Sequence, residues 1–396
     1  MHSCGLRPES IDYNMVLSCC VKTGDSKDAV ELLKAMSARG VTPTLTDFLT
    51  ALSCCKWDKE SWLDVFDLMV DKMGFVSDRD LYATALTNCA ESLSENKWTR
   101  SLRYLKKMTE DGFYPQQYEY KLVFDCLQLH GKWEASLEVL EQMDKQGLYA
   151  DLKSFNIVMN TLVKDGRWSE AMNLLSKMSR ENVVPNQETY NLALAVLSKG
   201  GKWEEAVNLF NSMSQNGLEP SMESYKHLID SCEREGKWNV ALRVLENMRK
   251  RDITPDLHVY NGAVLSCIKD GKWYVAVKLL KDIRAEKGPP LVTPDPVIYH
   301  NAILTCFGKE KVVWKVAWEL LHDMIADGII PDIQSYNLVL KACKLANQYR
   351  QGMEMLHYME GISVKFNTET YKLGASLAEK NGQCDLAESF RKLSCV

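Results

Sequence analysis

Residues 187–221 read QETYNLALAVLSKGGKWEEAVNLFNSMSQNGLEPS, and this stretch decides the fold. Tyr190, Ala193, Leu194 and Leu197 fall at i, i+3, i+4 and i+7, the spacing of one buried helical face. Gly200-Gly201 interrupts that helix. Trp203 opens a second one, whose apolar face is Ala206, Leu209, Phe210 and Met213 at the same spacing. Gly217 supplies a left-handed stop, and Pro220 prevents continuation. The unit is therefore helix, turn, helix, turn, and the small Ala206 lets its partner helix approach closely.

The same unit recurs along the chain. Its leading aromatic returns as Tyr13, Phe48, Tyr82, Tyr120, Phe155, Tyr190, Tyr225, Tyr260, Tyr299, Tyr336 and Tyr371, at intervals of 34 to 39 residues and most often 35. The late methionine returns as Met36, Met108, Met143, Met178, Met213, Met248, Met324 and Met359. The early alanine returns as Ala29, Ala171, Ala206, Ala241, Ala276, Ala317 and Ala387. A tryptophan opens the second helix at Trp98, Trp133, Trp168, Trp203, Trp238, Trp273 and Trp314, usually within Gly-Lys-Trp. This row reads as a ridge filling space between neighbouring hairpins, with its lysine neighbours on a solvated face. Periods in this range mean stacked helical hairpins, because one hairpin cannot bury its apolar face alone.

Composition agrees with a folded array. The 396 residues are 46% hydrophobic and 26% charged, and 48 basic against 53 acidic side chains leave a net charge of −5. That balance argues against coating duplex DNA by bulk positive charge, though not against a local basic track. No run of 18 apolar residues is present, so no membrane-spanning helix and no direct membrane insertion are expected. The 13 cysteines include no Cys-x-x-Cys pair, and no His-Glu-x-x-His occurs, so no metal and no cofactor are expected. Cys20, Cys55, Cys89, Cys232, Cys267, Cys306 and Cys343 instead share one repeat phase, the pattern of a small apolar residue in a helix interface.

The junctions Pro185-Asn-Gln-Glu-Thr-Tyr-Asn191, Pro255-Asp-Leu-His-Val-Tyr-Asn261 and Pro331-Asp-Ile-Gln-Ser-Tyr-Asn337 resemble those of pentatricopeptide repeats. So do the 35-residue period, the glycine before the second helix, and the Met-x-x-x-Gly-x-x-Pro ending of Met213–Pro220. The resemblance to a P-type array covers essentially the whole chain. It implies an all-α, right-handed superhelical solenoid of helix-turn-helix repeats. Residues 1–9 are expected to end a truncated preceding repeat, 10–367 to form ten repeats, and 368–396 a partial C-terminal one. Because Met1–Pro8 reproduces the repeat ending, Met1 is read as an internal residue of a longer chain with upstream repeats and a transit peptide. Longer surface loops are expected at Ser92–Asn96, Glu286–Pro294 and Gly308–Val313.

The resemblance also implies a function: binding single-stranded RNA in mitochondria or chloroplasts, about one base per repeat, in RNA processing, stability or translation. In that family the residue after the tyrosine and the residue closing the repeat choose the base. Here those are Asn14 with Thr44, Asn156 with Asn186, Asn191 with Ser221, Asn261 with Asp295, and Asn337 with Asn367. All five resemble pyrimidine-reading pairs; Asn261 with Asp295 resembles a uridine reader, the Asn/Asn and Asn/Ser pairs cytidine-leaning ones. Elsewhere the first position holds Leu49, Ala83, Lys121, Lys226, His300 or Lys372, which do not translate.

A basic row, Lys22, Lys164, Lys199, Arg234, Lys269 and Lys380, ends the first helices at the phase where relatives contact phosphate. The position two before the aromatic, which sandwiches bases in the family, departs from its small apolar type. It carries Thr46, Asp80, Tyr118, Lys153, Glu188, Glu223, His258, Gln334 and Glu369, and only Ile11 and Val297 conform. Those carboxylates support an alternative, a structural or assembly subunit holding protein partners within an organellar complex such as a mitochondrial ribosome or an energy-converting membrane complex. No catalytic residues are expected: paired acids such as Glu204-Glu205 sit on solvent faces, and nothing resembles an appended deaminase or nuclease.

Overall fold

The computed structural model describes residues 9–72, 75, 77–91, 96–285, 293–308 and 312–394. Part of each expected long loop, and the Met1–Pro8 segment, fall outside the described residues.

The described residues form helices paired in chain order. They begin with α1 (Ser10–Thr23) and α2 (Ser26–Ala38), α3 (Leu45–Cys54) and α4 (Lys59–Asp67), then α5 (Arg79–Ala90) and α6 (Lys97–Glu110). Next come α7 (Gln117–His130) and α8 (Trp133–Lys145), α9 (Leu152–Asp165) and α10 (Trp168–Arg180), then α11 (Gln187–Lys199) and α12 (Trp203–Gln215). The series continues with α13 (Met222–Glu235) and α14 (Trp238–Lys250), α15 (Leu257–Ser266) and α16 (Trp273–Ala285), then α17 (Pro296–Leu304) and α18 (Trp314–Ala326). It ends with α19 (Ile333–Leu345) and α20 (Tyr349–Gly361), followed by α21 (Thr368–Lys380) and α22 (Cys384–Leu393). Among the described residues the one β feature is an isolated bridge between Phe307 and Val312. The chain is thus an all-α solenoid of helix-turn-helix repeats. It divides into two compact units, Met1–Lys164 with Ser176–Val184, and Asp165–Leu175 with Pro185–Val396.

Three buried rows build the core of both units. The aromatic row is buried at every position from Tyr13 to Tyr336, while Tyr371 is half-buried. All eight methionines of the late row are fully enclosed, and so are the alanines of the early row, Ala387 nearly so. Burying a side chain of methionine size is worth about 1.5–3 kcal/mol, repeated in hairpin after hairpin. Three of the buried tyrosines place their hydroxyls against the end of their own second helix. Tyr82 donates to Asp111 at 2.6 Å and Tyr225 to Asn247 at 2.7 Å, while Tyr190 accepts from Asn216 at 2.7 Å. Each such bond closes its hairpin at the end remote from the turn.

The methionine also marks where the second helix stops. Its carbonyl takes the N–H five residues on, as in Leu218 to Met213 at 3.1 Å and Phe113 to Met108 at 2.9 Å. That is the wide loop of a Schellman ending, which needs a left-handed residue one position earlier. Gly217 provides it with φ +77°. Asn182, Asp252 and Ser363 hold the same conformation where the glycine is replaced, so the ending survives without its preferred residue.

The cysteine row is structural. Cys20, Cys55, Cys89, Cys232, Cys267, Cys306 and Cys343 are all buried and unbridged. Burial pushes the thiols of Cys55, Cys89, Cys267, Cys306 and Cys343 up to about 12, and that of Cys232 to about 11, from an ordinary value of 9.0. Because these values rise on folding, the stability linked to them is present below pH 9 and is lost as pH climbs towards 12. Alkaline titration followed by circular dichroism should show unfolding in that window. At pH 8, alkylation should label the exposed Cys19 and Cys384 quickly and the buried row slowly.

Candidate nucleic-acid interface

The residue that closes each repeat is the N-cap of the next hairpin's first helix. Asn186 accepts the Thr189 N–H at 2.9 Å, Asp295 the Ile298 N–H at 2.8 Å, and Asn367 the Thr370 N–H at 2.8 Å. Ser221 caps α13, and Thr44 caps α3 in a reciprocal box with Asp47. Helix N-termini favour Asn, Asp, Ser and Thr because a short side-chain oxygen satisfies an orphaned N–H. Capping therefore accounts for the residue types at this position before any ligand is considered. The sequence pattern contained that signal, since each of these residues directly precedes an amphipathic run.

The residue after the aromatic reaches across to the same place. Asn337 donates to the Asn367 side chain at 3.2 Å and accepts from Thr370 at 2.8 Å. Asn191 donates to Ser221 and to Glu223, each at 3.3 Å, and accepts from Ser224 at 2.6 Å. Asn14 meets Thr44 through Asp47, to which it donates at 2.7 Å. Desolvation of the buried Asp47 acts to raise its pKa. Hydrogen bonds from the Thr44 N–H, Asn14, the Thr44 hydroxyl and Ser10 outweigh it and hold the carboxylate below its usual range. A fourth pairing departs from expectation. Asn261 accepts from Asn301 at 2.7 Å, and no hydrogen bond joins it to Asp295 among the described residues. Asn156 is buried in the first unit, and Asn186 caps α11 in the second.

These contacts orient the amides without exhausting them. An asparagine side chain has two donor hydrogens and an oxygen with two lone pairs. Asn191 is half-buried with both hydrogens donated, one of them to the exposed Glu223 where another acceptor can compete, and its oxygen keeps a lone pair; Asn337 is 3% exposed and largely closed.

All six members of the basic row are exposed, and none joins an ion pair among the described residues. The stems of Lys164, Lys199 and Lys269 lie against the glycine turn of the preceding hairpin. A Cβ at Gly166 would come 3.2 Å from the Lys199 Cβ, and one at Gly236 would come 2.9 Å from the Lys269 Cβ. The ammonium of Lys269 also donates to the Arg234 carbonyl, so it caps α13 as well as facing solvent. Lys269 itself follows the end of α15 in a turn.

The lysines of Gly-Lys-Trp do more than cover a solvated face. Lys132 sits 5.0 Å from the ring centroid of Trp98, and Lys202 sits 4.7 Å from that of Trp168. Lys237 is 4.9 Å from Trp203, and Lys272 is 5.7 Å from Trp238. Each lysine thus stands over the tryptophan of the preceding hairpin, and the half-buried rings form a ladder of cation–π contacts. Residues 34 apart meet here, so the contact depends on the stacking offset, which composition does not reveal.

The sandwich positions face solvent throughout. Ile11 is 71% exposed, Tyr118 59% and Val297 53%, and Glu188, Glu223 and Glu369 are exposed too. No group of three or more His, Cys, Asp or Glu side chains is placed to hold a metal among the described residues. No helix among them is long and apolar enough to cross a membrane.

Similarity to known proteins runs along most of the chain. The pentatricopeptide repeat domain profile matches residues 1–56, 103–165, 208–270 and 319–373, more than half of the chain. Two further profiles, of the PPR repeat family and the PPR repeat, match residues 150–199 and 188–218. A chloroplastic pentatricopeptide repeat-containing protein of Arabidopsis thaliana is 26% identical over 114 residues, 28% of this chain and 14% of that protein. The crystal structure of the pentatricopeptide repeat protein PPR10 in complex with an 18-nucleotide psaJ RNA element is similar in fold. Its TM-score is 0.53 at 21% identity, covering 100% of this chain and 56% of that one. The crystal structure of PPR10 from maize gives 0.43 at 19% identity, over 98% and 63% of the two chains. The chain thus spans little more than half the length of PPR10 and a small part of the Arabidopsis protein.

Removing one rung of the ladder tests its contribution. Lys237→Met keeps the stem and deletes the charge over Trp203, and should cost about 0.5–1 kcal/mol, seen as a lower thermal midpoint. An unchanged midpoint would show that the contact adds nothing.

Proposed function

The chain belongs to the pentatricopeptide repeat family, and from that premise we propose that it binds single-stranded RNA without catalysing a reaction. One observation carries the reading: the amides of Asn14, Asn191 and Asn337 are each held against the cap of the following hairpin, by direct bonds or through Asp47. An oriented amide offers a donor and an acceptor side by side to one base edge. The exposed basic row at and just beyond the ends of the first helices supplies charge for the phosphates. Asn261 and Asp295 complete the set if a base bridges what no hydrogen bond joins directly. Lys22, Lys164, Lys199, Arg234, Lys269 and Lys380 are the phosphate contacts. The likeness to PPR10, whose crystal structure holds an RNA element, supports the fold side of this reading. The chloroplastic relative supports a place in an organelle, chloroplast or mitochondrion, in RNA processing, stability or translation.

A second reading has its own observation. Exposed carboxylates at the sandwich positions, Asp80, Glu188, Glu223 and Glu369, repel a phosphate strand and suit a basic protein partner. In that case the array is a structural or assembly subunit of an organellar complex.

Two substitutions divide these possibilities. Asn191→Ala should erase pyrimidine preference at one nucleotide. Lys199→Ala should weaken all sequences alike and reduce the salt slope of log K by about 0.7. Equal effects of both on every sequence would count against base reading. Partner association that survives ribonuclease, with no RNA recovered, would establish the scaffold.

A further inference from the structure

The hairpin of α13 and α14 lies between two that carry reading pairs, Asn191 with Ser221 and Asn261 with Asp295. Its own two positions hold Lys226 and Asp256, and these meet in an ion pair, Nζ to Oδ2 at 2.7 Å. The second oxygen of Asp256 is already engaged, accepting the Val259 N–H at 3.0 Å as the cap of α15. We propose that this hairpin is an unread position: bound RNA passes it with no choice of base, between two pyrimidine-selective neighbours. The inference rests on the RNA-binding reading above.

The chemistry gives the same answer whether the pair is closed or open. Closed, the ammonium and the carboxylate satisfy each other, and neither presents a directed group to a base. Both side chains are about one-third exposed, 35% and 36%, and such a pair is weak enough for a phosphate to compete for the lysine. Open, Lys226 is a mobile point charge with three donors and no acceptor. Every base offers an acceptor on its edge, so a donor-only group bonds to all four. Asp256 stays tied to its cap and has only acceptors. An asparagine amide differs because its donor and acceptor are fixed in one plane. The three hairpins lie in one compact unit, so the order selective, unselective, selective follows directly along the chain.

The experiment uses the full chain and a randomised RNA pool, with sequencing of the retained fraction. The wild-type protein should enrich two pyrimidines separated by a single nucleotide whose base varies by no more than about twofold. Lys226→Asn places an amide against Asp256, the same residue pair as Asn261 with Asp295. It should create a uridine preference of about 3- to 10-fold at the middle nucleotide, the worth of one net hydrogen bond. Asp256→Asn keeps a good cap and breaks the ion pair, and the middle nucleotide should remain unselected. Selection at that nucleotide by the wild-type protein would overturn the proposal. So would a Lys226→Asn protein with normal helical circular dichroism and intact flanking selection that gains no preference. Retention of no RNA by the wild-type chain would refute the RNA-binding reading itself, and this inference with it, a result distinct from both.

Discussion

A two-helix unit with one apolar stripe leaves half of its core uncovered until the next unit stacks on it. Here the covering is done by a ring from each first helix and, in eight of the hairpins, a buried methionine from the second helix, with a row of buried alanines beside them. Everything else follows from that packing. Because the ring cannot move, the residues flanking it are fixed in register with the next hairpin. The side chain after the ring therefore arrives at the next hairpin's N-cap. Asn191 at Ser221 and Asn337 at Asn367 are consequences of the core as much as of any ligand.

The electrostatics are local in the same sense. A net charge of −5 describes no particular face of the array. The Gly-Lys-Trp turns and the ends of the first helices gather cations such as Lys199 with Lys202 and Arg234 with Lys237. Acids occupy the exposed starts of the first helices, as at Glu188 and Glu223. Lysines over tryptophan rings are held in place at little cost in solvation, since each contact leaves its ammonium partly in water. A repeat protein can in this way be acidic overall and still carry an ordered cationic edge.

Spacing alone revealed the helix pairs, the tryptophans that open second helices and the buried cysteine phase, because each depends on local periodicity. The cap role of Asn186, Asp295 and Asn367 was also written in the sequence, since each directly precedes an amphipathic run. Contacts between hairpins were not legible. Lys237 over Trp203, Lys226 on Asp256 and Asn261 on Asn301 join residues 30 to 40 positions apart. Which of several candidates meet depends on a shift of about one helical residue, 1.5 Å, in how neighbouring units stack. The hairpin of α3 and α4 shows the same limit. It lacks Gly-Lys-Trp, leaves Trp57 89% exposed, and buries Trp62 against Phe66 instead.

The central claim is that this stack holds an RNA strand along its first helices. Ultraviolet crosslinking of the native protein to RNA, followed by sequencing of the attached fragments, tests it most directly. The account predicts a reproducible short footprint containing pyrimidines, with crosslinked peptides from α11 to α15. A protein recovered in a large particle with no RNA attached to it would contradict the account and make the array a protein scaffold.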